Sequence, residues 1–189
     1  QFSFMRLEGA DPVTGVEMVS TGEVACFGDT FEEAFLRSLI ASGIRVPREG
    51  EPILITVGGE KERVVPIAER LSKAGFNLYA TEHTAEALKE NGIICQVLRK
   101  VSEGGDPNIL DYLMEGEIKM VINILSLNDG PFSQQIVEDE YLIRRRAVEF
   151  GIPVITNLEL ADALSRALAR RENRRSMKEI ALTSPRLEK

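Results

Sequence analysis

Between Ile53 and Leu168, short apolar runs alternate with stretches that carry apolar residues at helical spacing. That alternation constrains the fold more than any other feature of the chain. The runs Ile53–Val57, Phe76–Ala80, Ile93–Leu98, Lys119–Ile124 and Pro153–Thr156 read as strands. The stretches Val64–Ala74, Ala85–Glu90, Ile109–Met114, Glu138–Phe150 and Leu158–Leu168 read as helices, with Gly75, Gly92 and Gly151 as stops. Apolar strands separated by amphipathic helices predict an α/β fold: a doubly wound, mainly five-stranded parallel sheet covered on both faces. Its crossovers are expected to be right-handed. Ligands of such sheets bind beyond the carboxyl ends of the strands.

The flanks follow other rules. Residues 1–30 hold short apolar pieces broken by Gly9, Pro12, Gly15, Gly22 and Gly28, with strands expected at Val16–Met18 and Glu23–Phe27. Two short strands cannot bury a core, so this stretch reads as the edge of a neighbouring domain. Phe31, Ala34, Phe35, Leu39 and Ile40 recur at helical spacing up to Gly43, and Pro47–Pro52 forms a linker. The last residues hold four arginines between Arg170 and Arg175 but no interleaved aromatics, as expected of a solvated helix surface and a loose end.

The chain has 189 residues, 23 Lys plus Arg against 30 Asp plus Glu, and a net charge of −7. This acidity argues against general nucleic-acid binding, yet leaves room for a locally basic pocket. No apolar run approaches the length of a membrane span. Cys26 and Cys95 stand far apart among apolar neighbours and read as reduced, mostly buried thiols. With His83 as the sole histidine, most metal centres and Ser-His-Asp arrangements lose their ligands.

The residues able to do chemistry fall just after the strands. They are Gly58, Gly59 and Lys61 after the first; Thr81, His83 and Thr84 after the second; and Lys100, Ser102, Gly104, Gly105 and Asp106 after the third. Asn123, Ser126 and Asn128 follow or end the fourth, and Thr156 and Asn157 the fifth. Under the predicted topology these gather on one rim. Two ammonium groups, hydroxyls and helix N-termini suit a phosphate or another anion. Each also has a plainer role. Thr81 and Thr84 fit helix caps, Lys61 and Lys100 fit solvated lysines, and His83 fits a solvent-facing loop. Asn123, at a buried strand end, needs hydrogen-bond partners and belongs at least to a structural network. Of Arg144, Arg145 and Arg146, at least one is expected to face solvent and the outer pair to form salt bridges or a subunit contact. No dinucleotide fingerprint or phosphate loop is present.

The motifs EKERVVPIAERL, YATEHTAEAL, KVSEG, GEIKMVIN and YLIRRRAVEFGIPVITN, with the leading GADPVTGVEMVSTGEVACFG, carry a family resemblance. The chain resembles the C-terminal end of the large (synthetase) subunit of carbamoyl phosphate synthetase. The resemblance implies four parts: residues 1–30 as the end of the second ATP-grasp domain, 31–50 as a connecting helix and linker, 51–172 as the methylglyoxal-synthase-like regulatory domain, and 173–189 as a charged tail. It implies a regulatory rather than catalytic segment, with no catalytic residue, metal ligand or cofactor of its own. ATP and Mg or Mn would serve the parent enzyme, which makes carbamoyl phosphate for arginine, urea or pyrimidine pathways. By motif, the effector site falls on Lys61, Thr81, Thr84, Lys100 and Asn123. Ser126, Asn128, Thr156 and Asn157 are further candidates for effector or domain contact.

The implied partners are a small anionic effector of the UMP, IMP, UTP, phosphoribosyl pyrophosphate or N-acetylglutamate class, the remainder of the synthetase, and a glutaminase subunit or domain. Neither nucleic acid nor membrane is implied. The implied location is cytoplasmic, or mitochondrial for a urea-cycle parent. The sequence departs from the bacterial pattern after the fourth strand, where Ile124 and Leu125 replace two threonines, and it lacks the effector-pocket tryptophan of the N-acetylglutamate form. Two other readings compete. Gly104-Gly105-Asp106 is similar to a motif of methylglyoxal synthase, a lyase acting on dihydroxyacetone phosphate, although His83 lies in the wrong motif for that enzyme. A ligand-free interaction module is the third reading.

Overall fold

The structure is a computed structural model that describes residues 24–59, 61–103, 105, 108–125 and 134–170. The strand expected at Val16–Met18, the charged tail, and Ser126, Asn128, Gly104 and Asp106 lie outside the described residues.

Five strands form one parallel sheet: β1 (Pro52–Val57), β2 (Asn77–Ala80), β3 (Gln96–Val97), β4 (Met120–Ile124) and β5 (Val154–Ile155), in the order β3-β2-β1-β4-β5. Six α-helices accompany them: α1 (Phe31–Ala41), α2 (Val65–Lys73), α3 (Glu82–Glu90), α4 (Ile109–Met114), α5 (Gln134–Glu149) and α6 (Leu158–Ala169). The expected α/β alternation is therefore present.

Alternation along the strands divides the interior in two. Ile53, Ile55 and Val57 of β1, with Met120 and Ile122 of β4, join the core shared with α1, α2, α3 and α6. Leu54 and Val121 point the other way, into a second cluster with Ile109 and Leu113 of α4 and Ile143 and Ala147 of α5. The chain thus winds along one face out to β3, then returns past β1 and continues to β5 under helices on the other face. The reversal falls between β1 and β4, the pair whose carboxyl ends open a crevice in folds of this type.

Local signals set the helix ends. Thr30 caps α1 by accepting from the Glu33 amide at 3.3 Å, and Asn108 caps α4 by accepting from the Leu110 amide at 2.8 Å. Gly28 lies so close to the first turn of α1 that a Cβ there would stand 2.6 Å from the Ala34 nitrogen. Leu36 and Leu39 of α1 are buried in the core that α6 lines.

Three expectations need correction. Val24–Phe27 does not form a strand; Val24 and Phe27 are exposed, and the Phe27 carbonyl accepts from Arg37 Nη1 at 2.7 Å. The apolar run Ile93–Leu98 contributes only Gln96 and Val97 to the ladder, because the ends of the run, Ile93 and Leu98, are buried as anchors while Ile94 turns outward at the sheet edge. Cys26 and Cys95 are free thiols but only half-buried. Among the described residues, no helix is long and apolar enough to cross a membrane.

Candidate functional site

The carboxyl ends of β1 and β4 carry polar residues on one face. Thr56 and Asn123 are register partners and follow Leu54 and Val121 on the face that α5 covers. Both are fully buried, so each needs partners. The Asn123 amide nitrogen donates to Thr56 Oγ1 at 2.6 Å and to Glu140 Oε2, and Thr56 Oγ1 donates to the same carboxylate oxygen at 3.1 Å. Arg144 Nη1 donates to Asn123 Oδ1 at 2.8 Å. With the guanidinium on one side and the carboxylate on the other, the amide has only one sensible orientation.

Glu140 and Arg144 come from one turn of α5 to the next. Positions 140, 143, 144 and 147 are one stripe of that helix, occupied by Glu, Ile, Arg and Ala. Ile143 and Ala147 pack into the second core, while Glu140 and Arg144 meet Asn123 and Thr56 at the strand ends. Arg144 is 1% exposed, the largest of the fully buried side chains. Of its neighbours, Arg146 faces solvent and Arg145 is mostly covered; Arg145 Nε and Arg146 Nη1 each donate to Glu149 at 2.9 Å. These two guanidinium groups hold the Glu149 carboxyl below the usual carboxylate range.

Lys100 joins the network from the segment after β3. Its ammonium lies 4.0 Å from Glu140 Oε1, and its side chain is 17% exposed. Among the described residues no acceptor stands within hydrogen-bond distance of that ammonium. The next turn contributes Ser102, whose hydroxyl donates to Asp139 Oδ2 at 2.5 Å. Asp139 is buried, and its other oxygen has no hydrogen-bond partner among the described residues.

The start of α3 borders the same strand end. Thr81 holds the N-cap backbone position without a side-chain cap bond; its hydroxyl donates to Thr84 Oγ1 at 3.2 Å. Thr84 Oγ1 also accepts from the Val57 amide at 3.3 Å. Both threonines are buried, and the Thr84 hydroxyl hydrogen stays available to an acceptor. The capping role expected of Thr81 and Thr84 is thus replaced by a bridge between α3 and β1.

A chain of contacts through Val57, Thr56 and Glu140 therefore links four of the five residues expected at the site. Thr81 bonds Thr84, Thr84 bonds the backbone beside Thr56, and Thr56, Asn123 and Lys100 converge on Glu140. Lys61 stands in the 3₁₀ turn Lys61–Val64, and among the described residues its ammonium bonds its own loop, the Gly59 carbonyl at 3.4 Å. Asn157 is the N-cap of α6, accepting from the Leu160 amide at 2.9 Å, and Thr156 precedes it after β5, two strands away from β1. His83 is exposed on α3, in a helix rather than a loop, with a ring nitrogen 3.3 Å from Glu86. Thr56, Asp139, Glu140 and Arg144 were not among the residues expected from sequence. For Glu140 and Arg144 the available signal was two charges in phase with Ile143 and Ala147 on one helix stripe; Thr56 and Asp139 carried none.

A family model described as the MGS-like domain matches residues 63–156. Over those residues the chain belongs to the MGS-like domain family. The match takes in β2 to β5, with Thr81, Thr84, Lys100, Asn123, Glu140 and Arg144. Among curated relatives, the C-terminal section of the carbamoyl phosphate synthase large chain from Methanopyrus kandleri is 43% identical over 88% of this chain and 30% of the relative. The carbamoyl phosphate synthase large chain of Pasteurella multocida is 41% identical over 87% of this chain and 15% of its own length. Multifunctional protein URA2 of Saccharomyces cerevisiae is 40% identical over 90% of this chain and 8% of its own length. The chain thus spans less than a third of these relatives. Among solved structures, methylglyoxal synthase from Elizabethkingia anophelis is similar with a TM-score of 0.49 and 18% identity, over 68% of this chain and 83% of that one.

Proposed function

We propose that this MGS-like domain is the allosteric effector-binding part of a carbamoyl phosphate synthase and takes a small phosphorylated anion at the carboxyl ends of β1 and β4. The observation that carries the reading is Lys100: a partly exposed side chain beyond the end of β3 whose ammonium has no hydrogen-bonded acceptor among the described residues. A cation in that state at the rim favours an anionic ligand, and the Thr84 hydroxyl, bonded to the end of β1, has a hydrogen to offer. Asn123 fixes the floor between β1 and β4, Thr81 orients Thr84, and Lys61 lies on the loop after β1, able to add a second positive charge. Ser126, Asn128, Thr156 and Asn157 complete the set proposed for effector or domain contact.

In this reading the chain itself makes no carbamoyl phosphate. The ATP-dependent ligase chemistry belongs to the parent enzyme, with its ATP and Mg or Mn, its glutaminase partner and the rest of the synthetase subunit. The segments 1–30, 31–50, 51–172 and 173–189 keep the roles proposed for them, and the location is cytoplasmic or mitochondrial according to the parent's pathway. The test is isothermal calorimetry of the purified chain with UMP, IMP, UTP, phosphoribosyl pyrophosphate and N-acetylglutamate. Saturable binding of at least one phosphorylated compound is expected. A folded chain that binds none of the phosphorylated compounds overturns the proposal.

A further inference from the structure

We infer that Glu140 is a built-in counter-anion of the effector site, which an incoming phosphate must displace from Lys100. The inference rests on the anion-site reading above and adds to it the element that sets affinity. Glu140 is 5% exposed, and one carboxylate oxygen receives both Thr56 Oγ1 and the Asn123 amide. The other oxygen faces the Lys100 ammonium at 4.0 Å. One edge of the carboxylate is thus fastened to the sheet, and the other offers a negative charge where the site's ammonium stands. At 4.0 Å the pair attracts without a hydrogen bond, so Lys100 can turn to a better acceptor without breaking one.

The charge arithmetic makes the role specific. The network holds two cations: the buried Arg144, bonded to Asn123 Oδ1, and Lys100, whose ammonium faces Glu140. Asp139, also buried and one residue away, adds a second carboxylate on the same side. An anion at Lys100 must therefore outcompete Glu140 for the ammonium and tolerate its field. A phosphate with two charges and three oxygens does this better than a single carboxylate. Glu140 accordingly weakens every anion at Lys100, and its field costs a dianion more than a monoanion. If Glu140 instead served only to hold Lys100 in place, its neutralisation would loosen the lysine and lower affinity.

The test uses the whole chain, titrated with inorganic phosphate and with acetate, as wild type and as Glu140→Gln. Glutamine keeps an oxygen acceptor for Thr56 and Asn123, removes the charge, and turns its amide nitrogen toward Lys100. We expect E140Q to bind phosphate about tenfold more tightly than wild type, the scale of one unit charge removed at this range, with a smaller gain for acetate. Unchanged or weaker phosphate binding by folded E140Q, with the wild type binding phosphate, overturns the inference and leaves the anion-site reading standing. Absence of phosphate binding by both folded proteins overturns both. Should E140Q fail to fold, Glu140→Asp decides: the shorter side chain withdraws the charge from Lys100, so tighter phosphate binding supports the inference and equal or weaker binding overturns it.

Discussion

Asn123 and Thr56 face each other across β4 and β1 as register partners, and the amide of one donates to the hydroxyl of the other at 2.6 Å. The contact sits where the winding of the sheet reverses. It converts a sheet position into a chemical one. Two residues earlier on each strand the same face holds Leu54 and Val121, packed against α4 and α5. Polarity thus begins at the strand ends, and the helix that covers the face interleaves Glu140 and Arg144 with Ile143 and Ala147 along one stripe.

The first expected outcome concerns Asn123. Its amide serves Thr56, Glu140 and Arg144, all buried. Asn123→Ala should destabilise the domain by about 1–3 kcal/mol for each polar partner that finds no substitute. Urea denaturation followed by circular dichroism measures it. A loss under about 0.5 kcal/mol, the scale of an ordinary surface substitution, would show that the network is not structural.

Arg144 and Arg146 give an internal control two residues apart. Arg144→Ala removes a buried guanidinium and leaves Asn123 Oδ1 without its donor; about 3–5 kcal/mol is expected for breaking a buried charged network. Arg146 is about half exposed and shares Glu149 with Arg145, so Arg146→Ala should stay within about 0.5 kcal/mol. Equal effects in paired melts would refute the assignment of Arg144 to the interior.

What the sequence discloses and what it hides follow from the same physics. Hydrophobic periodicity disclosed every strand and helix between β1 and α6, because core-facing positions must be apolar. It overstated β3, since Ile93 and Leu98 are apolar as anchors and not as ladder members. Asn123 stood out because a buried amide at a strand end has no apolar excuse. Thr56 did not, since threonine is an ordinary strand residue. Glu140 and Arg144 look like surface charges in a charge-rich helix. Only their phase relative to Ile143 and Ala147 marks them as inward, and the Arg144-Arg145-Arg146 run invites a solvent reading that is correct for Arg146 alone.

A further outcome concerns the sheet edge. Cys95 precedes β3 and, with Ile94, Val97 and Lys89, lines a surface groove of about 520 Å³ beside α3. Burial pushes its thiol above the ordinary cysteine value. The thiolate is the reactive form, so alkylation by iodoacetamide near neutral pH should be slow at Cys95 relative to an unperturbed peptide cysteine, and should accelerate as pH rises past that of the peptide. Site-resolved mass spectrometry across a pH series measures this. Peptide-like rates at Cys95 in the folded chain would contradict it.

The last outcome tests the site through its cation. Lys100→Ala removes the ammonium that faces Glu140 and leaves the carboxylate's bonds to Thr56 and Asn123 in place. Folding should be nearly unaffected, because the side chain lies at the rim and takes no part in either apolar cluster. Binding of the tightest phosphorylated effector should weaken by about 1–3 kcal/mol, the scale of losing a hydrogen bond to a charged group. The wild-type affinity should fall as salt rises, and K100A should show a shallower dependence, having lost one of the charges that salt screens. Calorimetry of both proteins at two ionic strengths separates the possibilities. Equal affinities in two folded proteins would remove Lys100 from the site and leave Lys61 and the hydroxyls of Thr81 and Thr84 to hold the anion.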